Sequence, residues 1–88
     1  MYYTYFIRSE KNNKIYVGYT SKDPKIRTKE HNLGSNIFTK QNAPFKLIYI
    51  EKYYCLKDAQ LKEDFYKMGF GKQIKFLIVN ELTKKFGM

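Results

Sequence analysis

The chain has 88 residues, 43% of them hydrophobic and 18% aromatic, with nine Tyr, seven Phe and no Trp. Seventeen Lys and Arg against eight Asp and Glu leave a formal net charge of +9, which points to a polyanionic partner, most simply nucleic acid. A lone cysteine, Cys55, excludes an internal disulfide framework and a thiolate zinc cluster, and fits a reducing, cytoplasmic setting. No apolar run has the length of a membrane span, and "MYYTYFIRSEK" lacks the layout of a signal peptide, so neither a membrane nor export is expected. The length suits one domain, residues 1–88.

"YYTYFIRS" (2–9) is aromatic and β-branched and reads as a strand. "EKNNK" (10–14) is polar, and its Asn pair tolerates positive φ, so a hairpin turn is expected there. "KIYVGYT" (14–20) is then the returning antiparallel strand. "SKDPKIRTKEHNLG" (21–34) carries a helix with its punctuation: Asp23 or Ser21 as N-cap, Pro24 in the first turn, Gly34 at the C-terminal left-handed position. "SNIFTKQNAP" (35–44) reads as loop, and "FKLIYIEKYY" (45–54) as a third strand. "LKDAQLKEDFYKM" (56–68) predicts a second helix, stopped by Gly69 and Gly71. "KQIKFLIVNEL" (72–82) predicts a third, with Ile74, Leu77, Ile78 and Leu82 on one stripe. The order β-β-α-β-α-α implies an α+β fold: a small, mainly antiparallel three-stranded sheet flanked by helices.

Side chains alternate faces along a strand, so Tyr3, Tyr5 and Ile7 share one face and Tyr16, Gly18 and Thr20 share another. Hairpin pairing can bring Tyr5 and Tyr16 to the same side. Gly18 then leaves a gap beside Tyr16, which admits a ligand, a bulge or a packed aromatic ring. Arg27 and His31 are four residues apart on one helix face, and Glu30 stands where it can pair with Arg27. Glu63 lies among lysines, with Lys67 four residues on; the pair can be an ordinary ion pair, or Glu63 can hold a hard divalent cation.

Taken in order, these pieces resemble the GIY-YIG nuclease family over most of the chain. "YTY" (3–5) stands for the first motif and "YVG" (16–18) for the second, followed by Arg27 and His31 in "DPKIRTKEHNLG". "FTKQNAPFKLIYIE" resembles the segment leading to the third strand, and "DAQLKEDFYK" the metal-binding helix, with Ala59 four before Glu63. The nearest likeness is to small standalone members related to the nuclease domain of the bacterial excision-repair endonuclease. Tyr3 and Thr4 replace the Gly and Ile of the first motif while Tyr5 keeps its position, and Lys75 stands where several larger members carry Asn.

The resemblance implies a metal-dependent endonuclease that hydrolyses DNA phosphodiesters to 5′-phosphate and 3′-hydroxyl ends, in repair, recombination or DNA processing. It implies Glu63 as ligand of one Mg²⁺ (or Mn²⁺) and Tyr5 as the group that activates water, a cation nearby favouring its phenolate. Tyr16 would position the water or the phosphate, Arg27 would neutralise the phosphoryl oxygens, and His31 would orient Arg27 or assist proton transfer. Gly18 would open the cleft beside Tyr16. Lys22, Lys40, Lys67, Lys72 and Lys75 are candidates for backbone-phosphate contacts, which bind DNA without reading its sequence. Two other readings make different demands. A non-cutting nucleic-acid-binding protein on the same fold binds without Glu63. A basic interaction module needs Tyr5 and Tyr16 fully buried, with no cleft joining them to Arg27 and Glu63.

Overall fold

A computed structural model describes residues 1–34 and 36–87; Ser35, first residue of the expected loop, and Met88 lie outside the described residues. The elements run β1 (Tyr2–Ser9), β2 (Ile15–Thr20), α1 (Pro24–Asn32), α2 (Ile37–Asn42), β3 (Phe45–Tyr53), α3 (Leu56–Lys67) and α4 (Gly69–Phe86). The sheet is antiparallel in the order β2-β1-β3, so β1 is central and both its neighbours are edges. This is the expected α+β architecture with one helix added.

The β1–β2 connection turns where the Asn pair sits, with Asn13 at φ 62°. Ser9 fixes that turn: its hydroxyl oxygen accepts from the amides of Lys11 and Asn12 and donates to the Asn42 carbonyl at 2.6 Å. The pairing sets Tyr5 opposite Gly18 and Ile7 opposite Tyr16. On β3 the register slips between Phe6 and Ile7, whose partners are Tyr49 and Leu47, so Ile48 is extra on that strand.

The sheet separates two apolar clusters. Phe6, Val17 and Ile48 pack with Tyr66 of α3 and Val79 of α4, while Tyr5, Ile7 and Phe45 pack together with Tyr16 and Leu47 against them. Helix α3 lies close on β1: Ala59 is completely buried, and the Thr4 hydroxyl donates to its carbonyl at 2.9 Å. Any larger side chain at 59 would lift the helix from the sheet.

Four expectations are corrected. Part of the segment read as loop, 35–44, forms α2, because Asn36 caps the Thr39 amide at 2.9 Å while the Thr39 side chain reaches back to the Asn36 amide. Helix α4 starts at Gly69 rather than 72 and runs to Phe86. Gly71 does not end a helix; it lets α4 approach α3, since a Cβ there would lie 1.8 Å from the Phe65 carbonyl oxygen. Finally, the buried line of α4 is Gly71, Lys75 and Val79; Ile74 and Ile78 flank it, and Leu77 is exposed.

Candidate active site

A cleft of about 710 Å³ opens at the β2 side of the sheet, lined among others by Tyr5, Tyr16, Gly18, Lys22, Arg27, Glu30 and Glu63. Its walls come from β1, β2, the turn into α1, α1 itself and α3. Helix α1 is placed by its caps: the Asp23 carboxylate accepts from the Lys25 amide at 2.8 Å, Pro24 opens the first turn, and Gly34 follows the end at φ 82°. Thus Asp23 rather than Ser21 is the cap.

That placement buries His31 against the sheet. The Tyr5 hydroxyl lies 2.7 Å from His31 Nε2, and the Tyr16 ring meets the imidazole edge-on with centroids 4.9 Å apart. Burial, with the Arg27 charge added to it, holds the imidazole pKa down to about 4 against the weaker pull of Glu30, so His31 is neutral at pH 7. With Nδ1 carrying the ring hydrogen, Nε2 accepts the Tyr5 proton. Its Nε2 is thus engaged with Tyr5.

Tyr5 is only 1% exposed, yet it lines the cleft, so the demand of the interaction-module reading for buried tyrosines without a cleft is not met. Burial pushes its phenol well above the ordinary value, and the Arg27 guanidinium only partly offsets that rise. Burial thus favours the phenol over the phenolate that a nearby cation would promote. At Gly18 the structure holds the packed aromatic ring among the expected alternatives, and Gly18 lines the cleft. A Cβ at 18 would lie 2.4 Å from the Tyr5 hydroxyl oxygen, so the ring of Tyr5 occupies the space that the sequence assigned to a gap beside Tyr16.

Arg27 is held by Glu30, whose second oxygen takes Lys22: the contacts are 2.9 Å and 2.6 Å. Hydrogen bonds from Lys22 and Arg27 keep the Glu30 carboxyl below its usual range. Glu30 had no place among the expected site residues beyond pairing with Arg27; its three-residue offset from Arg27 was the available signal.

Glu63 projects from α3 one turn beyond the buried Ala59, with its side chain 15% exposed, and Lys67 Nζ stands 3.4 Å from it. Lys67 also lies 5.9 Å from the centre of the Tyr16 ring. Among the described residues no group of three or more His, Cys, Asp or Glu gathers in one place. A lone carboxylate fits a hard ion that takes its other ligands from water and substrate phosphate, and does not fit zinc.

The remaining lysines divide. Lys22 lines this cleft, whereas Lys72 and Lys75 line a separate depression, and Lys40 is exposed on α2 and lines neither. Lys75 is 7% exposed, not a surface lysine, because its stem fills the buried line of α4.

Phenols beside cations and one hard carboxylate are groups that handle phosphodiesters, and a small three-stranded sheet with helices is here a nuclease scaffold. The chain belongs to the GIY-YIG family: residues 1–75 match the GIY-YIG catalytic domain. Members of that family are nucleases, generally metal-dependent, and membership implies a nucleic-acid substrate. No curated protein and no solved structure matches the chain. No helix among the described residues is long and apolar enough to cross a membrane.

Proposed function

We propose that the protein is an endonuclease that hydrolyses DNA phosphodiesters, with the cleft as its active site and Mg²⁺ (or Mn²⁺) held by Glu63. The carrying observation is the hydrogen bond between buried His31 and Tyr5, a lining residue of the cleft that Arg27 and Glu63 also line. A neutral imidazole 2.7 Å from a buried phenol suits proton relay better than a phenolate does. Tyr5 takes a proton from the attacking water as its own passes to His31 Nε2. The water oxygen bonds to phosphorus, and the 3′ oxygen leaves and takes a proton from solvent, giving 5′-phosphate and 3′-hydroxyl ends. The phosphodiester's negative charge offsets Arg27 and makes His31 a better acceptor while substrate is bound.

Arg27, fixed by Glu30, faces the charge that grows on the phosphoryl oxygens. Tyr16 orients water or phosphate, and Lys22 and Lys67 add charge at the rim. Gly18 leaves room for the Tyr5 ring, and with it for the relay. A divalent ion bound at Glu63 supplies Lewis-acid polarisation of the scissile phosphate. The reading places the protein in the cytoplasm, in DNA repair, recombination or processing.

The test is cleavage of supercoiled plasmid and of labelled branched, flapped and single-stranded oligonucleotides with Mg²⁺, Mn²⁺ or chelator. Metal-dependent cutting lost in Glu63→Ala supports the reading. A wild-type protein that binds every substrate and cuts none, with Glu63→Ala binding equally, would leave a non-cutting DNA-binding protein on the same scaffold.

A further inference from the structure

A separate depression of about 360 Å³ is lined by Asn13, Lys14, Ile15, Lys72, Lys75 and Phe76. It contains three ammonium-bearing side chains and no carboxylate. Lys75 is its unusual member. It is 7% exposed, and among the described residues no carboxylate or carbonyl takes its ammonium, which rests 4.8 Å from the centre of the Phe76 ring. Burial, with the charges of Lys72 and Lys67 added, holds its pKa below the ordinary lysine value. An ammonium on a buried stem, in like-charged company and facing a depression without a carboxylate, is a group suited to an anion from outside.

The depression is linked to the cleft in two ways. Strand β2 serves both, since Tyr16 lines the cleft while Lys14 and Ile15 line the depression. Lys67 lies within electrostatic reach of Lys75 and also stands at Glu63 and over the Tyr16 ring. Among the described residues no further strand pairs with the outer side of β2.

We propose that the depression formed by Lys14, Lys72 and Lys75 is a second phosphate subsite, which holds a backbone phosphate of the DNA strand whose scissile phosphate lies in the cleft. DNA as the ligand rests on the nuclease reading above. Lys67 bridges the two subsites. The substrate therefore has to extend past the cut on one side, across the edge of β2, and the contact is to backbone, with no base read.

The full chain, in chelator so that nothing is cut, is titrated against fluorescent duplex and single-stranded oligonucleotides over a range of salt. Wild type is compared with Lys72→Gln, Lys75→Met and Lys46→Gln, the last an exposed lysine on β3. Met keeps the apolar stem of Lys75, and Lys72 is exposed, so at least one variant tests the subsite without touching the core; thermal melts check both. Lys72→Gln and Lys75→Met should each weaken binding alike for all sequences and make the slope of log K against log salt shallower by about 1. Affinities and slopes matching those of Lys46→Gln would overturn the subsite. Wild-type cutting, assayed separately with metal, keeps the outcomes apart. Shifted slopes without cutting retain the subsite and remove the nuclease, cutting without shifted slopes does the reverse, and a wild type that binds no DNA removes both.

Discussion

The two sides of the sheet each gather tyrosines around a polar group, and they use them in opposite ways. On the α3–α4 side, Tyr49, Tyr53 and Tyr66 all donate their hydroxyls to the Glu51 carboxylate, with Lys62 3.5 Å away. Burial pushes the Glu51 carboxyl up, but the three phenols and Lys62 outweigh it and hold it below its usual range. Every donor there has its acceptor, and no reaction is left to do. On the cleft side, Tyr5 meets an imidazole instead of a carboxylate, and the carboxylate, Glu63, is set apart across an open volume. The same residue type is a structural staple where its partner is a buried anion, and a candidate proton relay where its partner is a neutral base beside a space for substrate. In both places burial raises the phenol, Tyr49 to about 12. Burial alone therefore does not mark a functional tyrosine; its partner and its access to a cavity do.

The contrast is broken most sharply by removing one hydroxyl on each side. Tyr5→Phe should lower the single-turnover cutting rate by about 10²-fold or more, and cost about 1–3 kcal/mol for the buried hydrogen bond to His31. Tyr66→Phe should leave the rate within a few-fold and cost about 1–2 kcal/mol in urea unfolding. Equal rate losses in both variants would mean that the cleft holds no special phenol. Glu51→Gln sharpens the same point: it should cost about 1–3 kcal/mol of stability with little effect on cutting.

Gly18→Ala comes next, because its Cβ would stand 2.4 Å from the Tyr5 hydroxyl oxygen and displace the ring from His31. A loss of about 1–3 kcal/mol is expected, together with reduced cutting, measured by melts and plasmid nicking. A further effect is in pH. His31 titrates at about 4 in the folded chain and near 6.5 when unfolded, so the unfolded state binds the extra proton between those values. Its contribution to stability is complete above pH 6.5 and is lost as pH falls toward 4. In His31→Gln that segment of the stability–pH curve should flatten, as read from urea midpoints at successive pH values.

Most of the scaffold was legible because each local signal agreed with the fold. The alternation in 2–9 and 14–20, the Asn pair between them, and Asp23–Pro24 before α1 all specify what the structure contains. Helix α2 escaped because its cap pair is Asn36 with Thr39, not the hydroxyl-plus-acid pattern that flags a capping box. The start of α4 escaped because glycine was read as a helix stop, whereas the Gly71 position answers to the neighbouring Phe65 carbonyl. In the site, residue types were legible and their partners were not. Tyr5 and His31 are 26 positions apart, and only the seating of α1 on the sheet brings them together. The space at Gly18 was legible as space, but its occupant depended on the register that sets Tyr5 across from it.

The hydrogen bond from Thr4 to the Ala59 carbonyl joins positions 55 apart, and it anchors the helix that carries Glu63 to the strand that carries Tyr5. The cleft is thus distributed over the chain from its first strand to its third helix, and no shorter fragment contains it. A nascent chain still lacking α3, or one in which α3 has undocked, presents basic surface without the assembled cleft. The assembled cleft is confined to the finished fold, so a cell making the protein meets it only after synthesis has passed Glu63 and the helix has closed on the sheet.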